Sequence, residues 1–198
     1  NEGMDAFKGS LAQAAGTTPE RVSVNVLHQH DAPRFDLGAE QRLLAVGADP
    51  ASYSPVNFDG SFGREVLHDL TKTVQKSLEH SRPVNKIGFG EAEVFKVASN
   101  RKIYDESGMV RATRYTATSD SAMRAEPEGV IDPMVSVVSF WDDAQPVAVL
   151  SFYATHPQSY YRTGIPNPDF PGIARFMRQL AVPDALHVHF TGAGGNIG

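Results

Sequence analysis

Helix and strand patterns alternate along this 198-residue chain, which predicts a fold of the α/β class. The clearest helix signal is an apolar residue at every fourth position within 62–79, namely at Val66, Leu70, Val74 and Leu78. The clearest strand signal is a pair of apolar segments, 134–141 and 147–155, separated by five polar or turn-forming residues. A His-Pro pair directly follows the second segment, and a strand that opens into a loop is a usual place for a functional site.

The composition is that of an ordinary globular protein, and it narrows the possible partners. Hydrophobic residues make up 41% and charged residues 21% of the chain, and the net charge of −5 argues against nucleic acid as a partner. No apolar run reaches the length of a membrane span. The chain has no cysteine, so any metal must be held by histidine and oxygen ligands.

We predict that residues 1–198 form a single domain, an incomplete portion of a larger one. The sequence begins without an initiator methionine and stops inside a glycine-rich segment, and both features favour a piece of a longer chain.

The first predicted elements are a helix and a strand. Residues 4–15 are rich in helix formers and precede Gly16, a typical C-terminal cap. Residues 22–30 are predicted to form a strand whose alternation places His28 and His30 on one face, roughly 6.5 to 7 Å apart. This spacing allows both imidazoles to line one cavity or to bind one metal ion. The alternative interpretation of the His-x-His pattern is a strand end whose two histidines face water.

A loop and a helix follow in the chain. Residues 31–60 are rich in proline and glycine and are predicted to be mainly loop, with a turn of helix at 40–46. In the helix at 62–79, His68 and His80 lie away from the apolar row, which predicts that both imidazoles are solvated.

Residues 86–98 are predicted to form a strand, in which Gly88 and Gly90 indicate a bulge or a close approach of two backbones. Arg101 lies at the end of this strand. Such an arginine is either solvated or bound to a carboxylate or carbonyl oxygen. No periodic pattern places residues 102–128.

The segments 134–141 and 147–155 are predicted to form a hairpin with a loop of about five residues. The second segment is nearly continuously apolar, as is typical of a central strand. It ends at His156 and Pro157, which places a third imidazole at a strand end.

The last part of the chain predicts a helix and a short strand. Asp169 is predicted to cap a helix over 172–180, a structural role that we favour over a catalytic one. The strand at 185–190 carries His187 and His189, which are predicted to pack rather than to bind metal.

The glycine-rich segment 191–198 does not fit a dinucleotide-binding motif, because G-x-G-x-x-G would need glycine where Ile197 stands. Such a loop can instead present backbone N–H groups to an oxyanion.

Several of these motifs occur in an order that resembles the neutral/alkaline ceramidase family and its bacterial relatives. The resemblance spans residues 22–198 and rests on the ordered set more than on any one motif. The motifs are His-x-His at 28–30 with Ala-Pro behind it, Asn100-Arg101, Asp132-Pro133, Tyr153–Pro157, Asp169–Gly172 and Gly-Ala-Gly-Gly-Asn-Ile at 192–197.

The resemblance implies a zinc-dependent amide hydrolase built on a mixed β-sheet flanked by helices. It implies that His28 and His156 bind zinc (Zn²⁺), and that His30 and Arg101 lie in the active site and contact the substrate. In the family, a glutamate and a tyrosine from later in the chain complete the zinc site. The family also has a serine at the reaction centre, at the position occupied here by Gly198.

We therefore hypothesise metal-assisted hydrolysis of an amide or ester bond in a small-molecule or lipid-like acyl amide. Zinc at His28 and His156 would leave a position for water, and His30 could exchange a proton with the nucleophile or the leaving group. Arg101 could stabilise the developing oxyanion, a role typically worth about 3 to 4 kcal/mol.

Two histidines do not close a zinc site, so this hypothesis requires a further ligand. It would come from beyond residue 198, or from Asp31, Asp169 or His189. The competing hypothesis is a catalytically silent binding or accessory domain, which the glycine at the serine position favours. The resemblance also implies secretion or a periplasmic location.

Overall fold

A computed structural model describes residues 2–53 and 58–198 of the chain. The chain divides into two compact units, the first comprising residues up to Asn25 together with Pro33–Ser81, the second Val26–Ala32 together with Arg82–Gly198. The described part of the first unit contains helices, and the second contains the β-sheet. The α/β class predicted from the sequence is confirmed, whereas the single domain over 1–198 stays a prediction.

Four α-helices of four or more residues lie in the described residues of the first unit, and the longest is the one with the apolar row. They are α1 (Glu2–Ala14), α2 (Leu37–Ala45), α3 (Pro50–Tyr53) and α4 (Ser61–Ser77). A 3₁₀ turn, Leu78–His80, extends α4. The predicted N-terminal helix and its cap are confirmed, since Gly16 has a left-handed φ of 63°.

The prediction of mainly loop for residues 31–60 is wrong, whereas the turn of helix predicted at 40–46 is confirmed as part of the longer helix α2. Asp36 caps α2, because its carboxylate accepts a hydrogen bond from the Ala39 N–H at 3.0 Å. The proline and glycine content of the segment concealed this start signal. Residues 54–57, which fall in the same predicted loop, lie outside the described residues.

Aromatic rings pack together in the first unit. The ring of Phe35 lies 5.7 Å from that of Phe7 and 5.9 Å from that of Phe62. Gly63 in α4 makes room for Phe35, since a Cβ there would lie 2.5 Å from its ring. His68 and His80 are both exposed, as predicted.

The second unit is organised around a four-stranded mixed sheet in the order β1-β4-β5-β6. Its strands are β1 (Lys86–Glu93), β4 (Met134–Asp142), β5 (Gln145–Tyr153) and β6 (Leu186–Thr191). The pairs β1·β4 and β4·β5 are antiparallel, and β5·β6 is parallel. A parallel pair needs a crossover connection, which here contains the helix α6 (Asp169–Ala181).

Residues 102–128, which no sequence pattern placed, form a separate hairpin and a short helix. The hairpin pairs β2 (Lys102–Tyr104) with β3 (Val110–Thr113), and α5 (Ser121–Ala125) follows. The strands are of three and four residues, too short to show a clear period in the sequence.

The predicted hairpin and the central position of its second strand are confirmed, but the five-residue loop is wrong. Asp142 pairs with Gln145, so the connection is only the turn at Asp143 and Ala144. Asp143 adopts a left-handed φ of 51°, which a tight hairpin turn requires and which aspartate tolerates.

The glycines of β1 have neither of the two roles that were predicted. The β1·β4 register is continuous, so no bulge occurs there, and the irregularity in β4 lies instead between Phe140 and Trp141 on its β5 side. Gly88 makes room for a side chain rather than for a second backbone, because a Cβ there would lie 2.7 Å from the Ser139 hydroxyl oxygen, and a Cβ at Gly90 would meet nothing within 4 Å.

The predicted strand at residues 22–30 is wrong, because the segment has no regular hydrogen-bonded structure. The predicted alternation fails at Val26, which is 73% exposed. His28 then adopts a left-handed φ of 58°, which is incompatible with an extended strand. The sequence pattern was local, whereas the conformation is set by contacts with residues far along the chain.

Among the described residues, we find no helix that combines the length and the apolar character needed to cross a bilayer.

Candidate metal centre

Three imidazole rings converge in the second unit although their residues come from distant parts of the chain. The ring centroids of His28 and His30 are 5.0 Å apart, those of His28 and His156 4.8 Å, and those of His30 and His156 5.6 Å. One ring nitrogen from each lies within 4.8 Å of the other two. In the part of the chain that the structure describes, this is the group of histidine or acidic residues whose spacing fits a metal ion.

Backbone carbonyls fix the orientation of two of the rings. Nδ1 of His156 lies 2.7 Å from the carbonyl oxygen of Gly194 and 3.0 Å from that of Ile197, and Nδ1 of His30 lies 3.3 Å from that of Pro157. A carbonyl only accepts, so Nδ1 carries the proton in both rings. The Nε2 lone pairs of His30 and His156 are thereby left for a metal or for proton transfer, as is common for histidine ligands.

The glycine-rich segment supports His156 through its carbonyls. The backbone N–H of His156 donates to the Ile197 carbonyl at 3.2 Å, beside the two bonds to the ring. Gly194 approaches the Thr155 backbone so closely that a Cβ would lie 2.9 Å from the Thr155 nitrogen. The sequence had suggested that this loop offers N–H groups to an oxyanion, but at His156 it presents carbonyl oxygens.

A small apolar core lies beside this loop. It consists of Ala98, Tyr153 and Ile197, each less than 5% exposed. Tyr153 ends the central strand β5, and Ile197 belongs to the glycine-rich segment. The support of His156 is therefore anchored in the core of the unit.

The segment that carries His28 and His30 is held mainly by a side chain. The Asp31 carboxylate accepts hydrogen bonds from the Thr163 hydroxyl at 2.6 Å, the Thr163 N–H at 2.7 Å and the Arg162 N–H at 2.8 Å. The bond from the Thr163 hydroxyl is the largest cause of the lowered pKa of Asp31. This engagement leaves Asp31 outside the histidine group.

The electrostatic environment favours neutral imidazole at His28. Its pKa is lowered first by burial, then by the neighbouring His156 and His30, and last by the positive charge of Arg101. Neutral imidazole is the form that binds a metal ion.

Arg101 is held near the histidines by two distant segments. Its Nη2 donates to Oε1 of Gln158 at 2.6 Å, and its backbone N–H donates to the Asn196 carbonyl at 2.8 Å. Across residues 2–53 and 58–198, no carboxylate lies within 4.0 Å of its guanidinium. Arg101 thus keeps its positive charge without a neutralising partner in the described residues.

The buried carboxylate of Asp169 has a structural role, although the predicted N-cap is wrong. Pro168 occupies the cap position of α6. The Asp169 carboxylate accepts from the N–H groups of Ser159 at 3.3 Å and Tyr160 at 3.0 Å, and the residue is 1% exposed. It ties the segment after His156 to the start of the helix.

The two histidines of the sheet, His187 and His189 in β6, are buried and make hydrogen bonds within the unit. Nδ1 of His189 lies 3.0 Å from the Ser151 hydroxyl oxygen, and Nε2 of His187 lies 3.0 Å from the Val182 carbonyl oxygen. Burial is the main cause of the lowered pKa of His189. Neither residue belongs to the histidine group.

Sequence reasoning missed two neighbours of the site, Gln158 and Tyr161. The Tyr161 ring lies 6.2 Å from that of His30, in an edge-on arrangement. Both residues lie in a segment without helix or strand, so no periodicity marked them. Their position just after His156-Pro157 was the only available signal.

Comparisons with known proteins give a likeness in structure alone. No family model matches the chain, and no curated protein matches it. A solved structure of a ceramidase complexed with C2 matches 98% of this chain, with a TM-score of 0.55 and 16% sequence identity. The chain shares the fold of the matched part of that ceramidase.

A second solved structure, of neutral ceramidase from Pseudomonas aeruginosa, matches 66% of this chain with a TM-score of 0.45 and 19% identity. The chain spans 28% of the length of the first ceramidase and 20% of that of the second. The resemblance seen in the sequence motifs is confirmed as a likeness of fold by the first of these structures.

Proposed function

We propose that this chain carries part of the active site of a zinc-dependent hydrolase that cleaves an amide or ester bond. The observation that carries the proposal is the convergence of His28, His30 and His156, two of them with carbonyl-fixed tautomers. The ceramidase fold supports an acylated amine as the substrate class. A small-molecule or lipid-like acyl amide therefore remains our proposed substrate.

The spacing of the histidine group supports a zinc ion as its ligand. In a tetrahedral site with bonds of 2.0 to 2.1 Å, ligand nitrogens are about 3.3 Å apart. The nitrogens of the group lie within 4.8 Å of one another. We propose His28 and His156 as ligands, and a bound zinc ion would supply a Lewis acid that lowers the pKa of water and polarises the scissile carbonyl.

His30 is proposed to move the proton of the reaction. Its Nδ1 is held by the Pro157 carbonyl, which leaves Nε2 to accept a proton from the attacking water. Water oxygen adds to the carbonyl carbon, the C–N or C–O bond breaks, and the proton passes from Nε2 to the departing amine or alcohol. The products are a carboxylic acid and an amine or alcohol.

Arg101 is proposed to stabilise the oxygen that becomes negative during this addition. Its guanidinium has no carboxylate partner within 4.0 Å in the described residues. A donor placed at an oxyanion typically lowers the activation free energy by about 3 to 4 kcal/mol. The electrostatic influence of Arg101 on His28 supports its placement near the reacting bond.

A catalytically silent binding or accessory domain is the second candidate, and one observation favours it. A Cβ at Gly198 would lie 2.9 Å from Nε of Arg101 and 2.9 Å from the Thr116 hydroxyl oxygen. The arrangement therefore has no room for a serine at this position unless these groups shift. Secretion or a periplasmic location also stays a prediction.

Elemental analysis after dialysis against trace zinc tests the metal site. We expect near-stoichiometric zinc in the wild-type chain and its loss in the double variant His28→Ala, His156→Ala. The matched control is His68→Ala, His80→Ala, which removes two exposed histidines of the other unit and should keep the zinc. Hydrolysis of N-acyl amides and esters is then measured on the same proteins.

Zinc in the wild-type chain that the double variant retains would contradict the proposed ligands. Stoichiometric zinc at this site without hydrolysis of either substrate class would favour the silent domain.

A further inference from the structure

The side chain of Gln158 connects the two halves of the proposed active site. It lies two residues after His156, and its Oε1 accepts the 2.6 Å hydrogen bond from Nη2 of Arg101. The same oxygen accepts a bond from the Thr116 hydroxyl at 3.0 Å. Two donors on one oxygen fix the side-chain amide with its oxygen toward Arg101.

We propose that Gln158 is a positioning residue that aims the Arg101 guanidinium while leaving its charge free to bind an oxyanion. The inference rests on the proposed function, since it specifies how the oxyanion group of that site is held. It concerns a residue that does not itself touch the reacting atoms.

Gln158 ties Arg101 to the segment that carries His156. Arg101 is separated from His156 by 55 positions in the sequence, but Gln158 shares a short segment with that histidine. The bond between Arg101 and Gln158 therefore fixes the guanidinium relative to the ring of His156. Side-chain positions must be held within a fraction of an ångström for the oxyanion to be stabilised, which is the purpose of such a bond.

The Gln158 side chain is neutral, and a carboxylate in its place would affect the charge of Arg101 differently. A carboxylate would hold a guanidinium more tightly than an amide, because hydrogen bonds between charged groups are about twice as strong as neutral ones. It would also neutralise the guanidinium and reduce its attraction for an anionic ligand. An amide oxygen at Gln158 orients Arg101 without this neutralisation.

Few other hydrogen bonds hold the Arg101 guanidinium among the described residues. Nε of Arg101 is buried and has no hydrogen-bond partner in the described residues. The bond at Nη2 is thus the ordering contact of this side chain within the described region, together with the main-chain bond to Asn196. Removing the Gln158 amide would free the guanidinium to rotate.

The experiment measures oxyanion binding directly, without metal and without turnover. Inorganic phosphate is titrated at low ionic strength, where charge interactions are least screened, and its Kd is obtained by calorimetry. The proteins are the wild-type chain, Gln158→Glu, Gln158→Ala and Arg101→Lys. The control Gln75→Glu makes the same charge change on an exposed face of α4.

We expect Gln158→Glu to weaken phosphate binding at least about tenfold, which corresponds to ~1.4 kcal/mol. Its free energy of unfolding should be unchanged or higher, because the new carboxylate pairs with Arg101. A residue with a merely structural role would lose binding and stability together. Gln158→Ala should weaken binding less, and Gln75→Glu should leave it unchanged.

The inference is overturned if Gln158→Glu binds phosphate as tightly as the wild-type chain, or if the wild-type chain does not bind it. Its failure is separable from that of the proposed function. Hydrolysis in the wild-type chain with Gln158-independent phosphate binding overturns the positioning role alone. Gln158-dependent binding in a chain without hydrolysis supports it and contradicts the hydrolase.

Discussion

The two sides of the histidine group are held by different kinds of structure. His156 follows the central strand β5 and takes its orientation from backbone carbonyls beside a buried core. His28 and His30 lie in a segment without regular structure, and the carboxylate of Asp31 anchors that segment. One side follows a strand of the sheet, whereas the other is an irregular segment held by the Asp31 carboxylate, by the Pro157 carbonyl at His30 and by the main-chain bond from Asn167 to Asp31.

This difference suggests how a metal would bind. The His156 side has a ring that is already oriented, and each backbone contact that orients it is supported by the packing of the unit. The His28–His30 segment has no regular structure and has a left-handed residue at the site itself. Left-handed backbone at a non-glycine residue persists only where its surroundings hold it, and such residues are often found at functional sites. We expect metal binding to order this side more than the other.

The largest effect on activity is expected from substitution of His30, which lies in the segment without regular structure. If His30 moves the proton, His30→Ala should lower kcat by about 10²- to 10⁴-fold and leave zinc near one ion per chain. The rate of amide hydrolysis and the zinc content are measured on the same preparation, with His68→Ala as the control.

Loss of the zinc in His30→Ala would contradict this division of roles. It would make His30 a third ligand, which the three similar ring separations also permit.

The next effect is on the sheet side, at Gly194. Gly194→Val introduces a side chain where a Cβ already meets the Thr155 backbone at 2.9 to 3.0 Å. Overpacking of this kind typically costs about 1 to 3 kcal/mol, and the displaced Gly194 carbonyl should lower zinc affinity about 10- to 100-fold. Denaturant unfolding and competition with a zinc chelator measure the two effects.

The matched control for Gly194 is Gly195, whose Cβ would meet nothing within 4 Å. If Gly195→Val were as damaging as Gly194→Val, the close approach to Thr155 would not be the cause.

A smaller effect is expected at Asp31. Asp31→Asn replaces one acceptor oxygen by an NH₂ group that faces the donors of Arg162 and Thr163. The anchor should loosen, so that the amides of these two residues exchange hydrogen faster and zinc affinity falls by no more than about tenfold, the low end for residues supporting a metal site.

Asp49→Asn serves as the control for Asp31, because Asp49 makes a comparable set of local hydrogen bonds in the other unit. Unchanged exchange at Arg162 and Thr163 in Asp31→Asn would show that the segment is held by other contacts.

The smallest effect concerns pH and the buried His189 in the sheet. The pKa of His189 is lowered in the folded chain. Below about pH 6.5, the ordinary pKa of histidine, the unfolded chain therefore binds a proton at this imidazole more readily than the folded chain does. The stability contribution is present above that pH and falls as the pH drops toward the folded pKa. Unfolding is followed from pH 7.5 to 5 in the wild-type chain and in His189→Gln.

The wild-type free energy of unfolding should fall more steeply with decreasing pH than that of His189→Gln. Parallel curves would mean that His189 does not contribute to the pH dependence of the sheet.

The sequence predicted those elements whose signal is a period or a turn. The apolar row of α4 and the two long hairpin strands were both recognised in this way. The helix α2 was predicted only as a single turn, because its context is rich in proline and glycine. The short strands β2 and β3 were not recognised, because a length of three or four residues hides the period. The hairpin loop came out too long because the strands continue into polar residues.

The three imidazoles that the structure brings together come from the His-x-His and His-Pro motifs noted in the sequence. The strand that was expected to present His28 and His30 does not exist, and the metal-binding role of the three residues stays a prediction. Their rings meet nevertheless, because a left-handed turn at His28 replaces the predicted alternation. Tyr161 and Gln158 had no detectable pattern and became visible only through their neighbours.

The sequence by itself determined which side chains can bind a metal, the absence of cysteine ligands, and the elements with a clear period. Only the tertiary structure decided that positions 28, 30 and 156 meet, that carbonyls of residues 194 and 197 set one tautomer, and that Gln158 faces Arg101. The physical reason is the range of the interactions. Periodicity and capping act within a few residues, whereas each contact of the site joins segments that are distant in the chain and is specified by the packing of the whole unit.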